Sequence, residues 1–154
     1  MAGVSGVDTS AGAAPALQSR RLSGLRRASL GALVMLVVQF GLGIGVNLYV
    51  TLPAKGGGGA FSNGPLLALH VVVGLLLILA AIGLLVRAII ARHGAVIAVA
   101  AVGLLAIATA ATQGFSFVSD GTNAASLAMA LATGVAMLSY AIALYLVRTP
   151  AQRS

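Results

Sequence analysis

"QFGLGIGVNLYV", Gln39 to Val50, places glycines at 41, 43 and 45. In a soluble chain this spacing suggests the Gly-rich turn that cradles a dinucleotide pyrophosphate. Such a turn needs a strand before it and an acidic ribose partner about 20 residues downstream. Neither is present: the stretch continues the apolar run "SLGALVMLVV", Ser29 to Val38, and the next acidic residue is Asp120. About 20 apolar residues are what a helix needs to cross the hydrocarbon of a bilayer. The glycines therefore lie inside a membrane span. Gly41 and Gly45 form a G-x-x-x-G, a spacing that lets helix backbones approach closely, within the chain or toward a membrane-protein partner or second copy.

The rest of the chain agrees. Of its 154 residues 60% are hydrophobic and 7% charged, with mean hydropathy +1.09. Soluble domains are about 25% charged, so this one could not cover a water-facing surface. From Ser29 to Val147 only Lys55, Arg87, Arg92 and Asp120 are charged. Spans are expected at about 29–52, 66–90, 95–114 and 123–147. Pro53 stops the first, and Pro65 opens the second where its missing N–H costs nothing. The expected fold is all-α: four transmembrane helices in an up-down antiparallel bundle. Residues 1–28 are expected to be a disordered cytoplasmic segment, because 1–19 are Ala/Gly/Ser-rich and aperiodic. They do not have the pattern of a cleavable signal peptide, since the apolar run starts only after the arginines and is too long. Residues 148–154 form a tail.

The arginines set the orientation. Arg20, Arg21, Arg26 and Arg27 precede the first span, Arg87 and Arg92 flank the turn "ARHG", and Arg148 and Arg153 follow the fourth span; the other side holds Lys55 and Asp120. The positive-inside rule places both termini in the cytoplasm of a multi-pass cell-membrane protein. The net charge of +7 is then a topology signal with some affinity for anionic headgroups. Nucleic acid is not the expected partner, because the arginines lack aromatic neighbours and sit at span ends. The absence of cysteine excludes disulfides, thiolate metal sites and covalent haem attachment.

Polar residues inside spans are costly and therefore informative. Gln39, Gly43 and Asn47 are spaced i, i+4, i+8. His70 is followed one turn on by Gly74. Gln113 lies near the outer end of the third span. Ser126, Met129, Thr133, Met137 and Tyr140 make a stripe at helical period in the fourth. Gln39, Asn47, Gln113, Thr133, His70 and Met129 are expected to face the bundle interior. The threonines, Gln39 and Asn47 are read as interhelical hydrogen-bond partners, and the methionines as gap fillers. His70, the one ionisable side chain well inside a span, has two readings. It is a neutral imidazole bonded to Asn47 or Gln113, or it is an axial ligand of haem b, with Gly74 leaving room for the porphyrin and Met129 near the sixth position.

"LALHVVVG", Leu67 to Gly74, and "LAMALATG", Leu127 to Gly134, share Leu, Ala and Gly in register, with His70 opposite Ala130. This is a weak internal repeat of two helical hairpins. With "LGALVMLVVQFGLG", Leu30 to Gly43, and "LALHVVVGLLL", Leu67 to Leu77, the chain resembles one four-helix half of the haem A synthase family. It is also similar to small four-helix membrane proteins in which each hairpin offers a histidine. The resemblance implies a bundle holding haem near the outer face between histidines of its second and fourth helices. His70 matches the first ligand. Ala130 stands at the second, with Met129 beside it, and the spans lack the carboxylate that family uses, which argues against haem A synthesis itself.

The expectation is a small integral membrane protein without a catalytic constellation, structural or accessory in role. No nucleophile–base or carboxylate pair is available for an enzyme. The alternative is a b-type haem-binding, or degenerate haem-binding, electron-transfer bundle. A transporter stands third, since no span carries Asp, Glu or Lys to move a proton or an ionic substrate.

Overall fold

The computed structural model describes residues 10–50 and 64–147, with side chains from Leu17 onward except that of Asp120. It contains α1 (Ser10–Tyr49), α2 (Pro65–Ile90), α3 (Gly94–Asp120) and α4 (Asn123–Leu146). All four are long and apolar enough to cross a membrane. The chain is an all-α four-helix membrane bundle. Each helix packs on the next, and α1 also packs on α4, while neither diagonal pair touches among the described residues. The helices thus form a closed antiparallel ring.

One spacing builds this ring. The inward residues of α1 are Leu22, Leu25, Ser29, Ala32, Leu36, Gln39, Gly43 and Val46; those of α2 are Leu67, His70, Gly74, Leu77, Ala81, Leu84 and Ala88. Steps alternate between three and four residues, the heptad period that keeps a seam facing its neighbour in a gently supercoiled bundle. Small side chains alternate with large ones in the core: Ala81, Ala88, Ala100, Ala136 and Ala143 are fully buried beside Leu25, Leu36, Leu84 and Tyr140. Other large aliphatics point out, including Leu75, Leu79, Leu105, Leu127, Leu131 and Leu138. The buried alanines suit hydrocarbon, where close backbone approach rather than exclusion of water holds helices together. The short internal match is one of sequence rather than of facing: Leu67 is buried and its counterpart Leu127 is 62% exposed.

Three boundaries differ from the sequence reading. First, α1 starts at Ser10, so residues 10–28 are helical rather than disordered. The reason lies in its buried stripe, which runs without a break from Leu22 and Leu25 through Ser29. Second, α1 ends at Tyr49, and the Gly-rich segment 51–63 lies outside the described residues, as do 148–154. Third, Phe115–Asp120, expected as loop, continues α3. The connection to α4 shrinks to Gly121, left-handed at φ 64, and Thr122, whose hydroxyl caps the Ala125 amide at 3.4 Å.

Contacts of Gln39 and Gly43 with α2 place Arg26 and Arg27 of α1 within about a turn of the level of Arg87. From Arg27 to Tyr49, and from Leu66 to Arg87, the helices rise roughly 32–33 Å, close to the thickness of a hydrocarbon core.

Candidate functional site

The strongest polar feature inside the bundle joins α1 to α2 about one turn below the start of α2. Gln39 Nε2 donates to the His70 backbone carbonyl at 3.0 Å and lies 3.2 Å from His70 Nε2. An amide oxygen in that place would face the carbonyl oxygen, so the nitrogen belongs there and gives both its hydrogens to His70. The imidazole Nε2 is then an acceptor, and the ring proton sits on Nδ1. His70 Nδ1 and Gln39 Oε1 are buried without a partner among the described residues.

Two glycines make the approach feasible. A Cβ on Gly43 would stand 3.3 Å from His70 Cε1, and one on Gly74 would stand 2.9 Å from Gln39 Nε2. The seam therefore fits a histidine and a glutamine against opposing bare backbone. The sequence reading gave His70 to Asn47 or Gln113; the partner is Gln39. Asn47 is exposed and Gln113 half-buried. The physical reason is helical phase. Eight residues advance a helix by about 80° beyond two turns, whereas the seven from Gln39 to Val46 nearly close them. Val46 is buried at 6% exposure and Asn47 is rotated out beside it.

The hydroxyls also depart from expectation. Thr133 is buried, yet its hydroxyl donates to Met129 O at 2.8 Å within its own helix. Ser29 and Ser139 bond to Leu25 O and Val135 O, and Thr109 to Leu105 O, in the same way. A carbonyl one turn back is always within reach of a helical hydroxyl, so these groups need no neighbour. The role of interhelical glue falls to the Gln39–His70 pair. Of the G-x-x-x-G, Gly45 packs on Leu66, with 3.4 Å available to a Cβ, and Gly41 meets nothing within 4 Å. Gly43, between them, makes the closest approach.

A second close approach, which the sequence reading missed, joins α3 to α4. Tyr140 is fully buried, and a Cβ on Gly103 would lie 2.8 Å from its Cζ. Its hydroxyl has no partner among the described residues. Gly103 falls on the buried stripe with Val96, Ala100 and Ile107, and that heptad spacing was the available signal.

These residues do not fit haem as the sequence reading placed it. Iron needs the lone pair of His70 Nε2, which faces the Gln39 amide. Gln39 fills the space beside Gly74. Met129 sits against Gly114 on the α3–α4 seam, and Ala130 is exposed. Nor do the described residues hold any group of three His, Cys, Asp or Glu able to bind a metal ion. No protein-family model, curated protein or solved structure matches the chain.

Proposed function

We propose that this protein is a structural or accessory component of the cell membrane, with both termini in the cytoplasm. The observation that carries the reading is how the polar groups inside the spans are used. The hydroxyls of Ser29, Thr133 and Ser139 return to their own helices, and a pair that crosses between helices, Gln39 and His70, locks one seam. Such groups hold a bundle together. Contact with another membrane protein or a second copy belongs to the same reading. Gly41 is open on the lipid-facing side of α1, beside exposed Val37, Val38 and Ile44.

The visible spectrum of the detergent-purified protein, taken with that of His70→Ala, tests this. The expected result is no Soret band in either protein and a lower unfolding temperature for the variant. A Soret band that His70→Ala abolishes would replace this reading with the b-type haem bundle that the likeness to haem A synthase implies.

A further inference from the structure

A cleft of about 780 Å³ opens at the end of the bundle that carries the α2–α3 turn. Its apolar wall includes Leu17 and Leu22 of α1 and Leu146 of α4. Arg21 comes from α1 and Arg92 and His93 from the turn, and no acidic residue lines it among the described residues. Gly94 and Ala95, the first residues of α3, also line it, and the His93 side chain makes no cap bond to that helix end. Measured along α2, the turn lies roughly 6–9 Å beyond Arg87. That is the headgroup layer, which adds about 5–7 Å to each side of the hydrocarbon.

The turn is built in an unusual way. Arg92 N–H bonds to Ile89 O and His93 N–H to Ala88 O, which is the Schellman closure of a helix. Its central residue is left-handed, and glycine normally stands there. Here Arg92 does, at φ 52, so a cation is held at the cleft in a backbone conformation that disfavours any side chain.

We propose that this cleft is a site for one anionic phospholipid, the phosphate lying between Arg21 and Arg92 and the glycerol and upper acyl carbons lying along Leu17, Leu22 and Leu146. Two arginines from separate elements, the start of α3 and an apolar wall at headgroup depth complement such a molecule. A free phosphate would use the cations and leave the wall uncovered. The inference needs the chain to span a bilayer and does not depend on the accessory role.

Native mass spectrometry of the full chain, titrated with phosphatidylglycerol or phosphatidylcholine in detergent, tests it. One phosphatidylglycerol should bind in preference to phosphatidylcholine. Arg21→Gln and Arg92→Gly should each weaken that first binding about fivefold, the effect of one cation near an anionic headgroup. Arg92→Gly relaxes the turn while removing the charge, so its thermal stability should equal or exceed the parent's, which separates lost binding from lost fold. Arg87→Gln removes a charge from the same end outside the cleft and should leave the first binding unchanged. Equal weakening by Arg87→Gln would overturn the proposal in favour of diffuse attraction. Full displacement by millimolar inorganic phosphate would overturn the lipid as occupant, and so would equal affinity for the two lipids.

Discussion

At the scale of residues, three buried polar atoms are without partners among the described residues, Gln39 Oε1, His70 Nδ1 and the Tyr140 hydroxyl, and they predict opposite outcomes. Tyr140→Phe removes a hydroxyl that pairs with nothing while keeping the ring against Gly103. It should stabilise the protein by about 1 kcal/mol, read as a higher unfolding temperature in detergent. Gln39→Leu instead strips His70 of its bonds and should cost about 1–3 kcal/mol. A double-mutant cycle with His70→Ala should return a coupling of about 0.6 to 1.7 kcal/mol, the range for polar pairs between membrane helices. A coupling of zero would mean that the pair is not formed in solution. Part of this pair was legible in the sequence. The sequence puts Gln39 and Gly43 on one face and His70 inward, and a strict four-residue step carries that face on to Asn47. Only a seam that alternates threes and fours, imposed by the neighbouring helix, reaches Val46 instead.

At the scale of elements, the number of helices was legible because apolar length alone specifies it. The inward faces were not. Inside and outside are equally apolar: Leu77 and Leu84 face in, while Leu79 and Ile89 face out. A contrast of polarity between the faces is therefore missing. The ends of α1 and α3 were misread for a related reason. "FSFVSD", placed between the third and fourth expected spans, carries two hydroxyl groups, and Ser116 and Ser119 bond back to Thr112 O and Phe115 O and let α3 continue. The α3–α4 seam gives the sharpest prediction for an element. Gly103→Ala drives a Cβ to within 2.8 Å of a ring that is buried and cannot swing away. It should destabilise the protein by about 1–3 kcal/mol. Combining it with Tyr140→Leu should recover part of that loss, whereas pairing it with Tyr140→Phe should not, since the crowded atom is a ring carbon. Equal recovery by both would place the strain at the hydroxyl.

At the scale of the whole molecule, the described arginines, Arg20, Arg21, Arg26, Arg27, Arg87 and Arg92, lie at one end of the ring and the inference is global. Alkaline phosphatase fused after Ser154 should be inactive, and green fluorescent protein at the same site should fluoresce, since both termini are expected in the cytoplasm. Active phosphatase there would invert the topology. A second whole-molecule outcome follows from α1 lying beside α4. With an even number of helices, the first and last residues of the bundle emerge at the same end, on adjacent helices. The ring therefore has no geometric beginning, and its covalent order is one of several that describe the same object. A circular permutant could be opened between Ala91 and Gly94, with a flexible linker joining the original ends. It keeps every arginine on its own side and every seam with its own partner. It should insert with four crossings and bind across the same Gln39–His70 seam, with α3 now synthesised first.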